Sequence, residues 1–463
     1  MSDKQERVEK DSMGEVRIPG WAYWGAQTQR AVQNFSVSEY RIPRAMIMAL
    51  ALIKKHAASA NKAVGAVEPK LAEAIITAAD EVLAGSWDKH FPIDVFQTGS
   101  GTSWNMNINE VLSNRASEIL GEPIGNRFPV HPNDHVNRGQ SSNDVIPTAV
   151  HVADRMELPK LIEAVRQLAA GFEQKANEFK DVVKIGRTHL QDAVPMTVGQ
   201  EFEGFATQMT KNAERLERVL PNLEELALGG TAVGTGLNAH PEFAEKAISG
   251  IAKETSIPFR AAASRFEAIA NRDAQVELAG AFTSLAVSLM KIGNDLRLLA
   301  SGPRAGLGEI ILPSLQPGSS IMPGKVNPVI PEMIIQVAAH ILGKANSIVT
   351  AGQHGPLELN MMHPLLAFET LSAIAILTES CRAFAERCVD GIEVDRERCD
   401  YWIEWSLALV TPLATRIGYD KAAELAHVAF EQKRTIRDVV LEANVLPKDE
   451  VDALLDPKGM IGS

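Results

Sequence analysis

The stretch VELAGAFTSLAVSLMKIGNDLRLL, residues 276–299, decides the fold. Leu278, Phe282, Leu285, Leu289, Ile292, Leu296 and Leu299 recur in it at alternating steps of four and three. That spacing keeps a single apolar stripe on one face of a helix for about six turns. The pattern repeats upstream in Phe202, Phe205, Met209, Leu216 and Val219, and in Leu158, Leu161, Ile162, Val165, Leu168 and Phe172. Ala279, Gly280, Ala281 and Ala286 are small enough to let neighbouring helices come close. Long helices bury such seams by lying side by side, so the sequence predicts a mainly α protein built round a long helical bundle.

Working outward, two changes in composition mark boundaries. An Asn/Gly/Ser-rich stretch at residues 137–143 precedes the first long seam, and the seams end near Gly391. Shorter helical pieces follow, including residues 419–433, with turn signals at Pro447 and at residues 457–459. The expected division is an N-terminal α domain (1–139), a central helical bundle (140–391) and a small C-terminal α domain (392–463); a chain of 463 residues is long enough for all three. Residues 220–228 read as the end of a helix.

The net charge of −12 disfavours nucleic acid and anionic membrane surfaces as partners, because both would be repelled. It leaves room for small anions held by a few local donors. No stretch reads as an apolar run long enough to cross a bilayer. The N-terminus, MSDKQERVEKDSMGEV, lacks the apolar core of a secretory signal, so the expected location is cytoplasmic. Cys381, Cys388 and Cys399 show no CxxC spacing and read as ordinary packed or surface thiols.

Four polar, glycine-rich segments interrupt the helical pattern. Thr98-Gly99-Ser100-Gly101-Thr102-Ser103, followed by Asn105, Asn107, Asn109 and Glu110, offers hydroxyl and amide donors beside backbone that can approach a ligand closely. A Ser/Thr turn that only caps a helix would read the same way. Ser141-Ser142-Asn143-Asp144 stands at a helix start, and an N-cap there is compatible with a carboxylate site on the free N–H groups. Gly186-Arg187-Thr188-His189-Leu190-Gln191-Asp192 places a histidine between helices, either as acid–base group or as structural hydrogen-bonder. Asp192 would orient that histidine or cap the next helix.

The fourth segment, GSSIMPGKVNP at residues 318–328, is the most specific. It carries Ser319, Ser320, Lys325 and Asn327 in one Gly/Pro-rich loop, and Glu332 begins the following helix. Ile321, Met322 and Val326 among those polar groups suggest a lid that buries its donors and excludes water. Residues 229–236, GGTAVGTG, look like a phosphate loop but lack the Lys-Ser/Thr that would complete it. His131, Asp134 and His135 complete no zinc motif, since Pro132 breaks the spacing.

Together these segments resemble the fumarase/aspartase superfamily, whose signature is the loop that reads GSSIMPGKVNP here, and the resemblance runs from WGAQTQRAVQNF to MIGS. Within it the chain resembles the class II, iron-independent fumarate hydratases, on TGSGTSWNMNINE, HPNDHVN, QSSND, GRTHLQDAVP and LGGTAVGTGLN in order. The resemblance implies a homotetramer with a twenty-helix core, active sites shared between three subunits, a small dicarboxylate substrate and no cofactor or metal. It implies Ser319 as catalytic serine, His189 as active-site histidine and Glu332 as the carboxylate paired with it. Lys325 and Asn327 join the catalytic set. Ser100, Thr102, Ser141, Ser142, Asn143, Thr188, Ser320, Lys325 and Asn327 match the positions that grip the dicarboxylate. His131, Pro132, Asn133 and Asp134 match a second, non-catalytic anion site, although His135 stands where the family carries a second aspartate.

The expected reaction is reversible anti addition of water to fumarate, giving (S)-malate. Ser319 would take the C3 proton, and donors in the closed site would hold the aci-carboxylate that results. An aspartate ammonia-lyase shares the loop and the intermediate. Lyases of argininosuccinate or adenylosuccinate, and a non-catalytic homologue that keeps only the bundle, are the remaining readings.

Overall fold

The computed structural model describes residues 6–461. The first five residues of the acidic N-terminal stretch and the last two of the C-terminal MIGS lie outside the described residues. A hairpin of β1 (Glu6–Asp11) and β2 (Gly14–Pro19) leads into α1 (Ala26–Asn34), α2 (Arg44–Ala63), α3 (Pro69–Leu83) and α4 (Thr102–Ile119). Then α5 (Ser142–Glu178) runs to an antiparallel hairpin, β3 (Val183–Thr188) and β4 (Gln191–Thr197), and α6 (Val198–Leu223) follows. Next come β5 (Glu225–Leu226), α7 (Phe243–Thr255), β6 (Arg260–Ala261), α8 (Arg265–Ala270) and α9 (Asp273–Leu299). After β7 (Ile310–Ile311), α10 (Val329–Gly352) and α11 (His363–Arg387) complete the long helices. The chain ends with β8 (Glu393–Val394), α12 (Arg396–Trp405), α13 (Val410–Ile417), α14 (Tyr419–Gln432), α15 (Ile436–Ala443) and α16 (Lys448–Leu454).

The mainly α expectation holds, and so do the seams: all seven stripe residues of α9 are at most 5% exposed. The helix expected over residues 220–228 stops at Leu223, because Glu225 and Leu226 pair in parallel with Arg260 and Ala261. Contrary to the sequence reading, α9 and residues 363–391 are long and apolar enough to span a bilayer, with a mean hydropathy of 1.3. Half or more of each apolar window is buried inside the fold, as in a core helix.

The chain forms two compact units, and the divisions between them fall inside α5, α6, α9, α10 and α11. The first takes residues up to 162, 214–284 and 340–377; the second takes 163–213, 285–339 and 378 onward. In the first, α2 packs on α3, α4 and α7 around Leu50, Ile53, Ile75, Trp104, Ile108 and Ile251. Small residues permit the close approach: a Cβ on Gly250 of α7 would lie 2.3 Å from His56 Nδ1.

In the second unit Phe172, Phe202, Phe205 and Phe384 stack edge to face at 5.5–6.1 Å. A separate cluster joins Val183 and Ile185 of β3 to Ile403, Leu413, Leu425, Val440 and Val451, so the C-terminal helices brace the β3–β4 hairpin. Cys381, Cys388 and Cys399 are buried and free, and burial pushes each thiol up to about 12. Such thiols are inert at neutral pH, as the sequence suggests.

Candidate active site

In the first unit, two helix starts bring hydroxyls together. Ser141 Oγ accepts the N–H of Asn143 at 3.2 Å, and Asp144 Oδ1 accepts the N–H of Ser141 at 2.9 Å. This reciprocal capping box fixes the start of α5. Asp144 Oδ2 also accepts the N–H groups of Gly229 and Thr231, each at 2.9 Å. The glycine-rich segment that looks like a phosphate loop is thus a collar tied to the helix start, and Asn143 Nδ2 adds a bond to Ala232 O. Burial raises the Asp144 carboxyl to about 6, opposed by those three N–H donors.

The first polar segment does not act as a Ser/Thr cap. Gly101 (φ +71) caps α4 with no side-chain bond. Its hydroxyls form a chain instead: Ser100 Oγ to Thr102 Oγ1 at 2.8 Å, and Thr102 Oγ1 to Ser142 Oγ at 2.7 Å. Ser100, Thr102, Ser141, Ser142 and Asn143 are all half-buried, within reach of a ligand. Asn143 N–H is taken by Ser141 and Trp104 N–H by Gln97 Oε1, so the hydroxyls and the rest of the two helix starts make an uncharged carboxylate receptor.

Gly99 seats this loop on the backbone before α11: an added Cβ would lie 1.9 Å from Met361 O. Gly99→Ala must therefore displace Ser100. We expect a fumarate KM raised about tenfold or more in steady-state assays, since misplacement by about 1 Å is costly; an unchanged KM would refute the placement.

In the second unit, the segment expected between helices is a β-hairpin whose two-residue tip is His189 (φ +55) and Leu190 (φ +61). Two positive φ values make a type I′ turn, which usually calls for Asn-Gly. One rung below the tip, Arg187 Nη1 donates to both oxygens of buried Glu309 at 3.0 Å. Buried Lys184 lies 3.3 Å from the same carboxylate and donates to Glu201 at 2.7 Å. The result is an anchored base and an exposed tip carrying Thr188 and His189. Asp192 faces Arg187 across the ladder and does not hydrogen-bond His189. Nor does it cap α6, where Thr197 and Gln200 form the capping box.

The signature loop also belongs to this unit. Gly318 N donates to Lys325 O at 2.8 Å and Asn327 Nδ2 to Gly318 O at 2.8 Å, closing the loop at its neck. Ser319 Oγ accepts the N–H groups of Ile321 and Met322 at 3.2 and 3.0 Å, donors that favour a negative oxygen. Asn327 thus commits one amide hydrogen to the neck, and its other amide hydrogen and side-chain Oδ1 have no partner among the described residues. Lys325 and Ser320 are exposed, and the Lys325 ammonium has no ion-pair or hydrogen-bond partner among the described residues. Ile321, 83% exposed, stands out with Met322 and Val326 around it. Glu332 lies in the first turn of α10 and is half-buried. Among the described residues of this unit, no hydrogen bond links His189, Ser319 and Glu332.

His131 caps a short π-turn, Pro132–Val136, by accepting the N–H groups of Asn133 and Asp134 at Nδ1. An Nδ1 that accepts cannot also donate to the Asp134 carboxylate 3.2 Å away, so that contact is an ion pair only when the ring is protonated. His135 Nδ1 accepts the His131 N–H at 2.8 Å, and burial lowers its pKa. No group of three or more His, Cys, Asp or Glu side chains among the described residues is arranged to hold a metal ion.

The sequence reading missed Asp144 as the knot between two segments and Glu309 as the anchor of the histidine hairpin. Asp144 carried a signal, an acidic residue three places after an N-cap serine. Glu309 lies 122 residues from Arg187, and no local pattern points to it.

A mainly helical scaffold that carries neutral hydroxyl and amide donors at helix starts in one unit, and a Gly/Pro-rich loop with an unpaired lysine ammonium in the other, describes a class of lyases. The Lyase family profile matches residues 14–343, and a fumarase C C-terminal profile matches residues 409–462. A class II fumarate hydratase of Neisseria meningitidis is 50% identical over 98% of this chain and 99% of its own length. One from Halobacterium salinarum is 52% identical over 98% and 97%. The crystal structure of a class II fumarase from Schistosoma mansoni superposes with a TM-score of 0.95 at 41% identity, covering 98% of this chain and 99% of that one. The chain belongs to this lyase family and, within it, to the class II fumarate hydratases. It is a hydro-lyase interconverting fumarate and malate, a step of the tricarboxylic acid cycle, and its substrate is a small dicarboxylate. The ammonia-lyase, the larger-substrate lyases and the inert homologue are thereby set aside.

Proposed function

We propose that the hydration occurs in a site completed by three chains of a homotetramer, with anti addition to give (S)-malate. The observation that carries this reading is the outward display of unpaired groups: His189 on an exposed hairpin tip and Lys325 on an exposed loop, with no hydrogen bond joining His189, Ser319 and Glu332 among the described residues of their unit. Exposed apolar residues on the long helices, Val287 and Leu298 on α9 and Val349 on α10, suit a further helical interface. The three-part division at 139/140 and 391/392 and a cytoplasmic location complete the proposal.

In the malate-to-fumarate direction, Ser319 Oγ as alkoxide takes the C3 proton, and the C3–H electrons pass into the C4 carboxylate as an aci-carboxylate. Lys325, Asn327 and Ser320 hold that added charge, while Ser100, Thr102, Ser141, Ser142, Asn143 and Thr188 hold the dicarboxylate frame. The C2–O bond then breaks, and His189, paired with Glu332 and acting through a water, supplies the proton that releases hydroxide as water. His131, Pro132, Asn133 and Asp134 form a secondary anion site with part of its N–H set already engaged.

Subunit mixing tests the assembly. Ser319→Ala and His189→Asn chains, each inactive alone, are denatured and refolded together in equal amounts. If the two residues of one site come from different chains, about a quarter of wild-type activity should return. Failure to recover any activity from mixed tetramers would place both residues in the same chain.

A further inference from the structure

One side chain of the first unit contradicts its surroundings. Lys54 sits on the inward stripe of α2, between Leu50 and Ala57–Ala58, and is 0% exposed. Its Nζ donates to Asn137 Oδ1 and to Gln140 Oε1, both at 2.9 Å. Neither partner is charged, and no carboxylate lies within ion-pair distance among the described residues. Both partners belong to the turn that delivers Ser141, Ser142 and Asn143. Asn137 further accepts from Asn105 of α4 and donates to Gln140 O, so the ammonium closes a network under that turn. On the same stripe, Asn61 Nδ2 holds Arg138 O at 3.0 Å.

A buried cation with no carboxylate in direct contact, Asp144 acting on it only through space, is costly unless something repays it. The turn above it leads into the receptor proposed for substrate carboxylates, so a bound dianion would add to the opposing charge that Asp144 alone supplies. We propose that Lys54 is a positioning and charge-balancing residue for the hydration: it holds the 137–140 turn and places a full positive charge beneath the carboxylate receptor at the start of α5. This rests on the assignment of Ser141, Ser142 and Asn143 to carboxylate binding.

Of the elements packed on α2, α4 presents Asn105 and the 137–140 turn presents Asn137 and Gln140. From α5 comes Asp144, the one charged group acting on Lys54, while α3 and α7 bring none to bear on it. Burial lowers the Lys54 ammonium to about 7, with Asp144 opposing. A dianion favours the protonated form, so affinity should fall as pH rises through that value.

The test is inhibition by succinate, a dicarboxylate that cannot react, measured from pH 6 to 8.5 on the full-length enzyme. Lys54→Met should raise the inhibition constant tenfold or more at pH 6.5 and flatten its rise with pH. The fumarate KM should increase by more than kcat falls, and the thermal midpoint should change little. Lys54→Gln keeps an amide donor for the turn and serves if the first variant does not fold. A folded variant with wild-type succinate inhibition and pH profile would overturn the proposal. Asn143→Ala run in parallel separates the layers. If it weakens succinate and the Lys54 variants do not, only Lys54's role fails; if it leaves succinate binding intact, the receptor assignment fails, and the proposal with it.

Discussion

Ser319→Ala should lower kcat by about 10²- to 10⁴-fold while shifting the fumarate KM only slightly, the loss usual for removing a proton-transfer group. The fold should tolerate it, because Ser319 sits half-buried on a loop and its Oγ bonds only two exposed N–H groups. Those two donors are also the reason to choose it over Ser320, which is exposed and has no such pair. Malate dehydration, followed by the absorbance of fumarate, gives the direct measurement. Exchange of the C3 hydrogen with deuterated solvent should fall in parallel. Turnover near the wild-type rate would end the serine-base assignment, and an equal loss in Ser320→Ala would make it unspecific.

Glu309→Ala carries the largest expected effect on stability. The carboxylate is fully buried and meets Lys184 and Arg187, themselves 3% and 13% exposed. Removing it strands the largely buried Arg187 and leaves buried Lys184 with Glu201 alone. Breaking a buried pair by deleting one partner typically costs about 3–5 kcal/mol. Because Arg187 stands two residues from His189, activity should drop before the protein unfolds. Chemical denaturation would show a lower midpoint with an unchanged slope, and a midpoint equal to wild type would dismiss the anchor. Glu309→Gln, which keeps the packing and one acceptor, should be milder on both counts.

What the sequence made legible follows from range. The seams of α5, α6 and α9 are written in side chains three and four apart, and they proved buried residue by residue. The helix start at Ser141 was legible for the same reason. The hairpin at 183–197 was not, because Lys184 occupies an inward position and a turn of His-Leu hides the strand period behind non-turn residues. Its inward lysine is acceptable only with Glu309 and Glu201 beside it, and that pairing is a fact of the folded chain. Lys54 did leave a mark, a charge inside the apolar run ALALIKKHAASA, although its neighbour Lys55 makes an ordinary surface pair with Asp80. The distinction between the two lysines needs α2's inward face to be known. The signature loop and the hydroxyl segments were visible as motifs, while the capping box and collar that hold them required the fold.

The tip of the β3–β4 hairpin has a further consequence. Both of its residues hold left-handed backbone without being glycine or asparagine. Each such residue costs of order 1 kcal/mol. His189→Asn with Leu190→Gly would restore the turn that strand twist prefers, and the protein would gain robustness as it lost its imidazole. On the proposed role of His189, selection for heat tolerance alone would therefore drive this chain toward an inert protein. An engineer seeking a hardier enzyme should strengthen the braces on either side, in the C-terminal helices or at Glu309, and leave those two uncomfortable residues alone.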